Sequence, residues 1–149
     1  MSSSILIIDD NQDVRDVLME ALTEEGGYTT HTAKDLGAAR VLMAKLGESL
    51  NLVLLDVQLP DGNGISFCAS LRRQGNDLPI IVLSGYASET DVERAFAAGA
   101  SDYLIKPTPI SILLARVSLQ LRHGCSKRIR RVVPSNRLMS LPRAIQIQT

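Results

Sequence analysis

Four short apolar runs punctuate the chain: Ile5-Leu6-Ile7-Ile8, Leu52-Val53-Leu54-Leu55, Ile80-Ile81-Val82-Leu83 and Tyr103-Leu104-Ile105. They are rich in branched residues and do not alternate with polar positions, the pattern of strands covered on both faces within a parallel sheet. A fifth stretch, Tyr28 to Thr32, alternates and suits a sheet edge. Between the runs, apolar residues recur at helical spacing. The stripes are Val14, Leu18, Ala21, Leu22; then Leu36, Ala39, Leu42, Met43, Leu46; then Ile65, Cys68, Ala69, Leu71; then Val92, Ala95, Phe96; and last Ile112, Leu113, Val117, Leu121. Ser88-Glu89-Thr90-Asp91 has the form of a capping box, and Thr108-Pro109 places a hydroxyl cap before a proline at the first helical position. Gly26, Gly47, Gly75 and Gly99 fall where helices should stop. Strand and helix alternate five times, which predicts an α/β fold: an open, doubly wound, five-stranded parallel sheet with helices on both faces.

Composition narrows the class. With 149 residues, 45% of them apolar, the chain can bury its own core, and it is too apolar for a disordered segment. No apolar run approaches the roughly 18 residues that span a bilayer, and Met1-Ser2-Ser3-Ser4 lacks the basic flank of a signal peptide. A cytoplasmic domain without membrane contact is the expectation. Cys68 and Cys125 have the spacing of neither a metal knuckle nor a disulfide framework, and read as small buried thiols. Acids and bases balance at 16 each, but unevenly: residues 1–123 hold every acid and ten bases, a net −6. Residues 124–149 hold Lys127, Arg128, Arg130, Arg131, Arg137 and Arg143 without an acid, a net +6. This divides the chain into an acidic domain, 1–123, and a basic linker or tail, 124–149.

The residues after the apolar runs carry the chemistry. Asp9-Asp10 follow Ile8, Asp56 follows Leu55, Ser84 follows Leu83 and Lys106 follows Ile105. In an open α/β sheet, ligands bind beyond the carboxyl ends of the strands, so these positions should share one rim. Each residue alone reads as a solvated loop or a helix cap; four strand ends together do not. Crowded carboxylates repel, and a hard divalent cation such as Mg²⁺ relieves that repulsion. Adjacent residues at a strand end diverge, so one of Asp9 and Asp10 is expected to reach such an ion through water. Asp56 is placed to attack phosphorus, Lys106 to supply a second positive charge, and Ser84 to hydrogen-bond a phosphoryl oxygen.

The stretches ILIIDDNQDV (5–14), LVLLDVQLPDGNG (52–64), IIVLSGYAS (80–88) and AGASDYLIKP (98–107) resemble, in order and spacing, the response-regulator receiver domain of bacterial two-component signalling, over about residues 4–122. The resemblance implies a flavodoxin-like (βα)5 receiver fold. It implies Asp56 as phosphoacceptor, Asp9 and Asp10 as the acidic metal pair, and the Gln58 backbone carbonyl as a further Mg²⁺ ligand. Ser84 and Lys106 match the residues that contact the phosphoryl group. Ser84 and Tyr103 match the switch pair, the aromatic turning inward on activation. Gln58 and Tyr86 fall where the family varies its side chains. Lys106-Pro107 is expected to be cis. Pro60, Gly62 and Gly64 should make the loop after Asp56 compact, the glycines by taking positive φ.

The function so implied is phosphoryl transfer from a sensor histidine kinase to Asp56, followed by a surface change that controls a transcriptional output. The domain would be a signalling acceptor that assists its own Mg²⁺-dependent phosphorylation and dephosphorylation. A homodimer through the fourth helix, fifth strand and fifth helix is the family's common consequence. DNA would be reached through an output domain not evident in these residues. Two alternatives compete. An aspartyl phosphatase of the haloacid-dehalogenase type needs an Asp-x-Asp pair, whereas Asp9 and Asp10 are adjacent and residue 11 is Asn. An unphosphorylated docking module would lack an acid or the lysine, and all are present. The basic tail reads as a solvated linker or as a contact for nucleic acid or an acidic partner, and Ile145-Gln146-Ile147-Gln148 has the alternation of a short strand. His31 and His123 are isolated.

Overall fold

The structure is a computed structural model that describes residues 2–85 and 88–132, with side chains up to residue 124. The basic residues from Lys127 onward, the Ile145–Gln148 stretch, Cys125 as a thiol and Tyr86 lie outside the described residues or side chains. The four apolar runs are strands β1 (Ser4–Ile8), β3 (Leu50–Leu55), β4 (Ile80–Ser84) and β5 (Asp102–Ile105), and the alternating stretch is β2 (Thr29–Ala33). They pair in parallel in the order β2-β1-β3-β4-β5, with β2 at an edge, as its polar alternation requires.

Helices cover both faces. The chain adds α1 (Gln12–Glu20), α2 (Leu36–Leu46), α3 (Gly64–Arg73), α4 (Glu89–Ala97) and α5 (Ile110–Val132). On one face Leu6, Ile8, Val53, Leu55, Ile80 and Val82 meet α2, α3 and α4 through Leu36, Ala39, Phe67, Cys68, Leu71 and Ala95. On the other, Ile5, Ile7, Leu52, Leu54, Ile81 and Leu83 meet α1 and α5 through Leu18, Leu22, Leu113 and Val117. Successive strand residues point to opposite faces, so covering both sides demands apolar residues at every position.

Local details depart from the sequence reading. The last turn of the first helix widens into a π turn, Ala21–Glu25, which buries both Ala21 and Leu22. It stops at Gly26 as expected, with Gly26 itself right-handed and the positive φ of 71° taken by Gly27 just beyond. Ser88 caps α4, accepting from the Asp91 N–H. Thr108 does not cap α5; its hydroxyl donates to the Ile105 carbonyl, and the Pro109 carbonyl accepts from the Ile112 and Leu113 N–H groups. Proline thus stands at the cap, not in the first turn. Phe96 and Ile112, read as core, are 48% and 44% exposed, while Phe67 is buried beneath the Arg40 guanidinium. Helix α5 continues through the change of charge at His123–Gly124. Cys68 is a buried free thiol. Among the described residues no helix is long and apolar enough to cross a membrane.

Candidate functional site

Parallel pairing brings the carboxyl ends of β1, β3, β4 and β5 to one rim, and the ladder runs one residue past β1, β3 and β5. The Asp9 N–H donates to the Ala33 carbonyl (3.1 Å), that of Asp56 to Ile8 (3.0 Å), and that of Lys106 to Ser84 (2.8 Å). The polar residues are therefore fixed by the same backbone bonds as the sheet.

Asp9 is buried and fully engaged. Its Oδ1 accepts from the Asn11 N–H (2.9 Å), its Oδ2 receives the Lys106 ammonium at 2.5 Å, and its carbonyl accepts from Arg15 Nη1 (2.7 Å). Lys106 Nζ also lies 3.5 Å from Asp56 Oδ2. Asp9, Asp10 and Asp56 each present a carboxylate oxygen, all within 4.8 Å of one another. The divergence expected of neighbours at a strand end does not separate Asp9 from Asp10, because the chain turns at Asp10 into the cap of α1. Asn11, whose side chain accepts from the Val14 N–H, makes that turn. Asn11 and Arg15 orient Asp9 and were not singled out in the sequence. An Asn between a strand end and a helical stripe is the signal for the first; Arg15 gives none, since its contact is with a backbone oxygen.

The Asp56 carboxyl titrates above the usual carboxylate range. Burial is the main cause; the Lys106 ammonium opposes it and the Asp9 carboxylate adds to it. Three acids thus meet beside an ammonium that Asp9 and Asp56 share, a donor set of hard oxygens that could hold a divalent cation. Ser84, the last residue of β4, is buried at the same rim. Tyr103 lies opposite Val82 and packs, half-buried, on the α2–α4 side of the sheet.

The loop after Asp56 is tight. Gln58, exposed, begins a two-residue antiparallel pairing of Gln58–Leu59 with Gly62–Asn63. The Gly64 N–H donates to the Val57 carbonyl at 2.7 Å. Gly64 is required by crowding and not by a positive φ: a Cβ there would stand 2.1 Å from the Asp56 carbonyl oxygen. Asn63 then caps α3 through the Ile65 and Ser66 N–H groups. The Lys106–Pro107 peptide is cis. Beside Lys106 a groove of about 490 Å³ opens between α1 and the start of α5, lined by Val14, Val17, Leu18, Leu83, Pro107 and Leu113 among others.

Comparison with known proteins agrees with this geometry. The family model for the response regulator receiver domain matches residues 5–118. A probable transcriptional regulatory protein of Picosynechococcus sp. is 42% identical over 124 residues, covering 79% of this chain and 49% of the relative. The KDP operon transcriptional regulatory protein KdpE of Escherichia coli is 41% identical over 120 residues, covering 80% and 52%. The chain spans about half the length of these curated relatives. A CheY-like receiver domain of Methanospirillum hungatei superposes with a TM-score of 0.77 at 28% identity, covering 85% of this chain and 99% of that one.

Proposed function

Because the chain belongs to the response regulator receiver domain family, we propose that Asp56 accepts a phosphoryl group from a sensor histidine kinase. An Asp56 oxygen forms the new O–P bond while the N–P bond of a phosphohistidine breaks. The electron pair stays with the imidazole, which takes up a proton. Asp9, Asp10, Asp56 and the Gln58 carbonyl hold Mg²⁺, which supplies positive charge to the phosphoryl oxygens. Lys106, paired with Asp9 and Asp56 in the resting site, turns its ammonium to the new phosphoryl group, and the Ser84 hydroxyl hydrogen-bonds it. The added charge of about −1.5 to −2 draws Ser84 towards it, and Tyr103 turns inward into the space left behind. The observation that carries this reading is the meeting of three carboxylates and one ammonium from three strand ends.

The domain, 1–123, is a reversible acceptor and not a turnover enzyme; it assists its own phosphorylation and dephosphorylation. The groove beside Lys106 offers the kinase a surface next to the acceptor. Large apolar side chains, among them Phe96, Ile105 and Ile112, are exposed on α4, β5 and α5, which favours a homodimer through the α4–β5–α5 face. Transcriptional relatives twice as long favour a cytoplasmic output at DNA through a further domain, with 124–149 as the basic link towards it. Incubation with acetyl phosphate and Mg²⁺ should add one phosphoryl mass to the protein and none to Asp56→Asn. Undiminished labelling of that variant would refute the acceptor assignment.

A further inference from the structure

Asp61 lies five residues beyond Asp56, in the turn between Gln58–Leu59 and Gly62–Asn63, and its carboxylate leaves its own loop. Oδ1 accepts from the Leu36 N–H and Oδ2 from the Gly37 N–H, both at 2.9 Å and about 25 positions away in sequence. These are the first amides of α2, orphaned like those of any helix start. Yet α2 has a local cap: Asp35 Oδ1 accepts from the Ala38 N–H at 2.8 Å. What Asp61 adds to that cap is a strap. The pair of charge-assisted bonds joins the loop carrying Gln58 to the β2–α2 corner. The loop also packs on the Leu36 side chain there, since a Cβ on Gly62 would stand 2.9 Å from Leu36 Cδ1. The two N–H groups also hold the exposed Asp61 carboxyl below the usual carboxylate range.

The geometry points to Asp61 as a positioning residue for the cation site: through α2 it fixes the loop whose Gln58 carbonyl completes the ligand set. This rests on the Mg²⁺ site proposed above. Asp9, Asp10 and Asp56 are held by the sheet and by the start of α1, but Gln58 is exposed; apart from the apolar packing of Val57, Leu59 and Gly62, the hydrogen bonds that hold its loop are its own short pairing and the Gly64–Val57 bond. Without the strap, ordering that loop becomes part of the cost of binding the ion. Affinity falls, while transfer at saturating Mg²⁺ does not.

The test compares the wild type, Asp61→Ala, Asp61→Asn and Asp35→Ala by Mg²⁺ titration calorimetry and by amide hydrogen exchange without metal. Asp61→Ala should weaken Mg²⁺ binding by about tenfold and speed exchange across residues 57–63. Asp61→Asn, which keeps one acceptor, should fall between it and the wild type. Asp35→Ala, which removes the local cap alone, should leave Mg²⁺ affinity and loop exchange close to wild type. Three results would overturn the assignment: unchanged loop exchange in Asp61→Ala; Asn as weak as Ala with exchange unaltered, which marks a bare charge effect; or equal losses in Asp35→Ala, which mark a general requirement for α2. A wild type that binds no Mg²⁺ overturns the site itself, and is told apart from these because exchange in the metal-free protein still reads the strap.

Discussion

Replacing Gly64 by alanine tests how closely the loop packs on the acceptor. The new Cβ would lie 2.1 Å from the Asp56 carbonyl oxygen, 3.0 Å from its carbon and 3.2 Å from Leu55 Cγ, against ordinary contacts that begin at 3.4 Å. The backbone must therefore part by about 1.3 Å at a place where both partners are main chain and the interior is close-packed. Overpacking costs about 1–3 kcal/mol, and with no flexible side chain to yield, the cost here should be about 3 kcal/mol. For a domain of this size that lowers the melting temperature by roughly 10 °C. The Gly64 N–H bond to Val57 is strained by the same shift, so acetyl-phosphate labelling of Asp56 should slow as well. Gly37→Ala is the internal control. Its Cβ meets nothing nearer than 3.5 Å, and it lies in the first turn of α2, so stability should rise by about 0.5 kcal/mol. Thermal unfolding followed by circular dichroism reads both. A Gly64→Ala protein melting within about 2 °C of wild type would show that the loop does not press on Asp56 as described.

Lys106→Met leaves buried Asp9 without its cation; because Asp10 keeps the pocket open to water, the loss should be about 2 kcal/mol in urea unfolding, recovered in part by Mg²⁺. Asp56 makes stability depend on pH with a definite sign. Its folded pKa is raised, so between the unfolded value of 3.8 and the folded one the native state binds more protons. That contribution is present below 3.8 and is lost as pH rises through the raised value. In urea titrations Asp56→Asn should therefore be more stable than wild type near neutral pH, with the gap closing in acid. Arg116→Ala breaks the 2.8 Å pair with Asp102, but with Arg116 45% exposed the cost should stay below about 1 kcal/mol in the same assay.

The parallel sheet was legible because β1, β3 and β4 bury both faces, which leaves the unbroken apolar runs at Ile5, Leu52 and Ile80. The rim residues were legible for a related reason: a polar residue ending such a run must stand at a strand end, and parallel strands end together. Three features escaped. Phe67 is buried although its neighbours Cys68 and Leu71 already formed a stripe, because α3 lies against both the sheet and Arg40 of α2. Ile112 and Phe96 have the spacing of core residues but face outward, and nothing in a spacing distinguishes a core from a surface awaiting a partner. Asp61, between Pro60 and Gly62, gives no signal of its own in the sequence, since its bonds to Leu36 and Gly37 exist only once the loop and α2 have docked.

The most direct measurement is the position of the phosphoryl group. Protein labelled with acetyl phosphate and Mg²⁺, reduced with borohydride so that an aspartyl phosphate becomes homoserine, is digested and sequenced by mass spectrometry. The account predicts homoserine at position 56 and intact aspartate at positions 9, 10 and 61. Homoserine at any of those three, with Asp56 unmodified, would contradict it.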